Sequence, residues 1–267
     1  MSIIQSLVLG LIQGLTEFIP VSSTAHLLIG QRLLGLGANE AVFAFLVLVQ
    51  MGTILALIVF FWKDLWAIVR AFFARPFSTP LNRFGWFILI ATIPALLAGL
   101  LLKPLIKDLF RTPLIEAAIR LATAAVLMSL AERFGRRSRR LDSMTGFDAL
   151  GIGLMQVLAV FPGASRSGTT ISGGLLRGFE RPAAARFAFL MAVPVMSAAG
   201  AYEALEAVKM PGLGSFLPVL AAGFLAAAIV GWLAIRWLLR YLGRHSLTPF
   251  AVYCAVLAAA CLAWNFL

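Results

Sequence analysis

Pro20-Val21-Ser22-Ser23-Thr24 interrupts an apolar stretch running from residue 3 to residue 35. A second stretch, from 147 to 179, is interrupted by Pro162-Gly163-Ala164-Ser165-Arg166-Ser167-Gly168-Thr169-Thr170. These two breaks decide the fold. Each flank keeps only about 14–18 residues, marginal for crossing about 30 Å of hydrocarbon at 1.5 Å rise per residue. Irregular backbone at membrane depth is tolerated where protein or a water-lined cavity surrounds it. The two regions are therefore expected to be re-entrant helix-loop-helix hairpins.

Outside the breaks, residues 41–62, 84–102, 113–133, 186–206, 216–240 and 247–266 each have the length and apolarity of a full crossing. The expected fold is an all-α integral membrane protein, one membrane domain over 1–267 with six transmembrane helices and two hairpins. Composition agrees. The 267 residues are 61% hydrophobic and 12% charged, with a mean hydropathy of +0.97, whereas a soluble domain is about a quarter charged. The short alternating segments of an outer-membrane barrel are absent.

The net charge of +11 does not mark a nucleic-acid protein, because the basic residues lie in short connections between apolar spans. The arginine run at 133–140 reads as a cytoplasmic anchor. About fifteen Lys and Arg fall in the connections at 63–83, 133–140, 177–186 and 236–244, and about five on the opposite side. The richer side is expected in the cytoplasm, so the first hairpin enters from outside and the second from inside. The first basic residue is Arg32, so the basic start of a cleavable signal is missing and the first helix is expected to stay. Cys254 and Cys261 share one helix face too far apart to bridge, and read as packing.

The halves resemble each other. Gln13 and Pro20 correspond to Gln156 and Pro162, and Phe43-Ala44-Phe45-Leu46 to Phe187-Ala188-Phe189-Leu190. Each half is a hairpin plus three crossings. An odd number of crossings turns the second copy upside down, so repeats over about 1–140 and 147–267 are expected to be inverted, with a site where the broken helices meet.

Ionisable residues within apolar segments are expensive and therefore functional candidates. Glu17 precedes the first break, with Gln13 one turn earlier on the same face. Ser22, Ser23 and Thr24 occupy the break, and His26 lies three residues after Ser23. Arg166 sits in the second break among Gly163, Ser165, Ser167, Thr169 and Thr170. Together they form a candidate phosphate site. Free amides at a half-helix start and a guanidinium both favour an anion, and the hydroxyls add donors. Glu17 is a candidate ligand for a divalent cation, Mg²⁺ or Ca²⁺, shared with phosphate oxygens. His26 is a candidate general acid or base, and Ser23 a candidate nucleophile.

Structural roles compete with these readings. Glu17 and Arg166 are also candidates for an ion pair between hairpins, and membrane Ser and Thr often serve helix packing. Arg120, in mid-span, has Glu116 four residues away and Glu132 farther off, so structural support is the expected role. His245 reads as an interfacial residue.

The segment Gln13-Gly14-Leu15-Thr16-Glu17-Phe18-Ile19-Pro20-Val21-Ser22-Ser23-Thr24-Ala25-His26-Leu27 closely resembles the first signature of the bacterial undecaprenyl-diphosphate phosphatases of the bacitracin-resistance family. The segment Phe161-Pro162-Gly163-Ala164-Ser165-Arg166-Ser167-Gly168-Thr169-Thr170-Ile171-Ser172-Gly173-Gly174 resembles the second. The resemblance extends from the first helix to the last. It implies an enzyme of the bacterial inner membrane that removes the terminal phosphate of undecaprenyl diphosphate, returning the carrier lipid to cell-wall synthesis. It also implies six spans with two hairpins, often a dimer, and functional positions at Gln13, Glu17, Ser23, His26 and Arg166. The first motif position is often Glu in that family and is Gln13 here, which leaves Glu17 as the motif's one carboxylate. From the outside-entering first hairpin, the site is expected to open extracytoplasmically. A transporter of a polyprenyl phosphate, using the same inverted repeat, is the alternative.

Overall fold

A computed structural model describes residues 1–37, 40–73, 76–106, 113–159, 164–207 and 213–266. Among them the regular structure is helical, with one isolated β-bridge between Arg139 and Phe179. The first hairpin is α1 (Ile3–Phe18) and α2 (Ser23–Leu33). Next come α3 (Glu40–Phe60), α4 (Trp62–Phe72), α5 (Pro80–Ile106) and α6 (Pro113–Phe134). The second hairpin is α7 (Gly146–Val157) and α8 (Arg166–Leu176), and the chain closes with α9 (Arg181–Ala207), α10 (Leu213–Leu242) and α11 (Thr248–Phe266).

The protein is a multi-pass membrane protein. Helices α3, α5, α6, α10 and α11 each hold a segment long and apolar enough to span a bilayer. The remaining expected crossing falls on α9, a continuous 27-residue helix despite Pro194 and about 40 Å long. The hairpin helices have 16, 11, 12 and 11 residues. At about 16–24 Å each, none spans the hydrocarbon.

Residues 63–83 are a charged connection by composition, yet most of their first half folds into α4. Trp62, Trp66, Val69 and Phe73 recur at helical spacing and are exposed, while Asp64 pairs with Arg186 of α9. Trp62 stacks on Trp66, and Arg70 lies over the Trp66 ring. An apolar, aromatic face with a basic rim suits a helix lying at the membrane interface.

Both hairpins are built by the same local devices, at a constant offset of 143 residues. Ser2 and Thr145 each close a capping box at the start of α1 and α7. Ser22 and Ser165 occupy the N-cap positions of α2 and α8. Gly35 and Gly178 end those helices at φ of 63° and 87°. At each end the glycine N–H and the next residue's N–H turn back to the last-turn carbonyls, the Schellman pattern that a left-handed residue allows.

Packing crosses between the halves. Helix α1 lies along α10 and α7 along α5, while α3 meets α9 and α6 meets α11. The close approaches need small residues, as in membrane helix pairs generally. A Cβ on Gly10 would stand 2.4 Å from the Gly223 carbonyl oxygen, and one on Gly14 2.7 Å from that of Ala227. On the other pair, a Cβ on Gly153 would stand 2.5 Å from the Ala91 carbonyl oxygen. Buried Ser6 adds a hydrogen bond from α1 to the Val219 carbonyl of α10.

The arginine-rich connection does more than anchor. Arg139 grips Asp148 with both terminal nitrogens, at 3.0 and 2.7 Å. Glu132, at the end of α6, accepts from Arg137 at 2.6 Å, from Arg181 at 2.7 and 2.6 Å, and from the Leu247 amide at 2.7 Å. One carboxylate thus joins α6, its following loop, α9 and the entry to α11. Cys254 and Cys261 are free and buried, and His245 stacks on Tyr241 in the loop before α11.

Candidate active site

Helix α1 ends at Phe18, one residue after it has delivered Glu17 to the first break, and α8 begins with Arg166 at the second. The Arg166 guanidinium donates to Glu17 Oε1, joining the two hairpins. Both side chains are largely withdrawn from solvent, Glu17 being 8% exposed. The other carboxylate oxygen, Oε2, accepts from Gln13 Nε2 at 2.8 Å and from Ser23 Oγ at 2.5 Å. Gln13 also reaches Thr53 of α3 at 3.4 Å. Its own Oε1 is buried with no partner among the described residues.

Ser22 holds the turn that makes this possible. Its backbone has φ 67° and ψ 90°, unusual for a residue with a side chain. The amide of Val21 closes back on the Ile19 carbonyl at 2.7 Å, and His26 Nδ1 lies 2.9 Å from the Ser22 carbonyl. A ring N–H at Nδ1 donating to that oxygen leaves Nε2 to accept, and the Tyr253 hydroxyl of α11 stands 2.8 Å from it. The two rings are stacked. Tyr253 is a contact that sequence reading missed, since nothing near it in the chain marks a polar site. His26 is therefore engaged with Ser22 and Tyr253, while the Ser23 hydroxyl is turned to Glu17.

The second break is organised by its hydroxyls. Ser165 caps α8 by accepting from the Gly168 amide at 3.2 Å, and its hydroxyl lies 3.3 Å from that of Ser167. Ser167 reaches the Ile19 carbonyl of the first break at 3.5 Å. Thr169 and Thr170 both donate to the Arg166 carbonyl at 2.8 Å, so they shape the first turn of α8. Gly163 lies outside the described residues.

A cavity of about 150 Å³ opens between the breaks, lined by Glu17, Ser22, Ser23, Thr24, Gln50, Arg120, Ser165, Arg166 and Ser167 among others. The site residues proposed from sequence thus gather on one cavity, with His26, Gln13, Thr169 and Thr170 supporting its wall. Arg120 and Gln50 are additions. Arg120 does pair with Glu116, at 2.8 Å, as its spacing implied, yet it also faces the cavity. That local pairing is what hid it.

The family model of the bacitracin resistance protein BacA matches residues 6–260. The chain belongs to this family. Its relatives match end to end. An undecaprenyl-diphosphatase of Rubrobacter xylanophilus is 42% identical over 265 residues, with 97% of each chain covered. One from Nocardioides is 40% identical, covering 97% of this chain and 95% of the relative. One from Syntrophobacter fumaroxidans is 38% identical, covering 98% and 97%. In this BacA-family chain both breaks, at 20–24 and 162–170, fall inside the matched region, and residues of both line the cavity.

All the side-chain metal donors lining the cavity are oxygens: the Glu17 carboxylate, the Gln50 amide and the serine and threonine hydroxyls. Such a set suits a hard cation rather than a thiophilic one. No cluster of three His, Cys, Asp or Glu exists among the described residues, and Glu17 is the one carboxylate among the described residues that line the cavity.

Proposed function

We propose that this protein hydrolyses undecaprenyl diphosphate to undecaprenyl phosphate and inorganic phosphate, regenerating the carrier lipid for peptidoglycan synthesis. The observation that carries this reading is the meeting of Glu17, Ser23 and Arg166 at one cavity between two broken helices. End-to-end relatedness to proteins named for that reaction supports it.

Phosphoryl transfer needs positioning and charge stabilisation more than elaborate covalent chemistry. Ser23 Oγ attacks the terminal phosphorus while its proton passes to Glu17 Oε2, the atom it already hydrogen-bonds. The bond from phosphorus to the bridging oxygen breaks, and undecaprenyl phosphate leaves with the electron pair. Water then attacks the phosphoserine phosphorus, the bond from phosphorus to Ser23 Oγ breaks, and the proton held on Glu17 returns to Ser23 as inorganic phosphate leaves. Arg166 and the amides opening α8 balance charge on the transferred group. His26 fixes the strained Ser22 turn, and through it the aim of Ser23. Mg²⁺ or Ca²⁺ would be held by Glu17, with substrate phosphates completing the coordination, and would supply added charge neutralisation.

The isoprenoid tail lies between apolar helices, each buried CH₂ contributing about 0.8 kcal/mol. We place the protein in the bacterial cytoplasmic membrane as one domain of two inverted repeats, about 1–140 and 147–267, with the site opening extracytoplasmically and a dimer as the assembly. Membrane lipid, not nucleic acid, surrounds it.

The decisive experiment is phosphate release from undecaprenyl diphosphate by purified protein in detergent, with and without Mg²⁺ or Ca²⁺. Turnover that is lost on chelation and in folded Glu17→Ala and Arg166→Ala variants is the expected result. Absence of turnover in folded wild-type protein under every metal tried overturns the assignment.

A further inference from the structure

Arg120 is the one guanidinium besides Arg166 among the residues lining the cavity. It sits in mid-α6, a segment otherwise apolar enough to span a bilayer, where a charge is retained only for good reason. Its Nε–H and one Nη2–H both donate to Glu116 Oε1, at 2.9 and 2.8 Å. Arginine has five N–H donors, and no partner is found for the others among the described residues. Glu116 is not among the residues lining the cavity, so the carboxylate fixes the group through Nε and Nη2 and leaves its other N–H groups uncommitted.

A diphosphate brings two anionic groups to this cavity. Arg166 can meet one of them, and it already answers to Glu17. Helix α6 packs against both α2 and α8, which puts Arg120 on a wall distinct from the one that Arg166 occupies. We propose that Arg120, oriented by Glu116, is a substrate-binding residue that takes the second phosphate of the diphosphate while Arg166 holds the first. This rests on the hydrolase reading and adds a phosphate clamp to it. A clamp of this kind favours a diphosphate over a monophosphate ligand, because only the former reaches both guanidiniums.

The test uses full-length protein in detergent. Glu116→Gln/Arg120→Gln removes both charges together, so no buried charge is left unpaired to cause misfolding, and Arg120→Lys keeps charge without the fork. Binding of inorganic diphosphate and inorganic phosphate is measured by calorimetry, beside KM and kcat for undecaprenyl diphosphate. The double variant, folded by thermal melting, is expected to raise KM and weaken diphosphate binding about ten- to hundredfold. Its phosphate affinity is expected to stay within about threefold of wild type, with Arg120→Lys intermediate for diphosphate. A purely structural pair predicts a lowered melting temperature with KM and diphosphate affinity unchanged, and that outcome overturns the inference. If wild-type protein binds diphosphate but turns over no lipid substrate, the hydrolase reading fails while the clamp survives.

Discussion

Ser23 presents its hydroxyl to Glu17 rather than to His26, and this single orientation separates the roles of three neighbouring side chains. If Ser23 is the attacking group, Ser23→Ala is expected to lose at least about a thousandfold in kcat. Radiolabelled terminal phosphate should then be trapped on wild-type protein by an acid quench and not on the variant. A folded Ser23→Ala enzyme with near-normal kcat would move the attack to water. His26→Ala predicts a different pattern, since the ring supports a strained backbone: a smaller fall in kcat with a measurable loss of melting temperature. Tyr253→Phe removes the hydroxyl on Nε2 while leaving the Nδ1 contact, and is expected to be the milder change. Sequence alone put these residues in one small region because Pro20 breaks the helix between Glu17 and the serines. It could not give the partner of each, since that depends on a φ of 67° at Ser22 and on a tyrosine 227 residues away.

Among the elements, the hairpins were legible and α4 was not. Proline followed by small hydroxyl residues inside an apolar run has few other structural readings. Eleven residues carrying Lys63, Asp64 and Arg70 look like a loop when judged by charge, although Trp62, Trp66, Val69 and Phe73 hold helical spacing. The ends of the hairpin helices offer a clean contrast of two glycine roles. Nothing stands near a Cβ added to Gly35, whereas one on Gly14 would strike the α10 backbone. Gly35→Ala is therefore expected to cost about 1–2 kcal/mol through backbone strain alone. Gly14→Leu must push α1 from α10 and should lower the melting temperature of the detergent-solubilised protein much further, or prevent folding.

For the whole molecule, exchange between the halves matters more than either half alone. Neither α1 nor α7 packs chiefly within its own half of the chain, so the bundle interlocks through partners that no single stretch of sequence could name. Glu132 is the polar counterpart of that interlocking, with three segments converging on one carboxylate. Glu132→Ala leaves Arg181 and the Leu247 amide without it and is expected to cost about 3–5 kcal/mol. Because Glu132 is remote from the cavity lining, kcat per folded molecule should stay near wild type. The pair that joins the hairpins carries a different consequence. With Glu17 seated on Arg166, the empty enzyme already contains a resident anion where a phosphate is to bind. Substrate capture is then an exchange of one anion for another, and the carboxylate acts as a built-in competitor. Measured without divalent metal, Glu17→Gln should release that competition, turning the enzyme into an inert trap that holds inorganic phosphate and diphosphate more tightly than metal-free wild-type protein does.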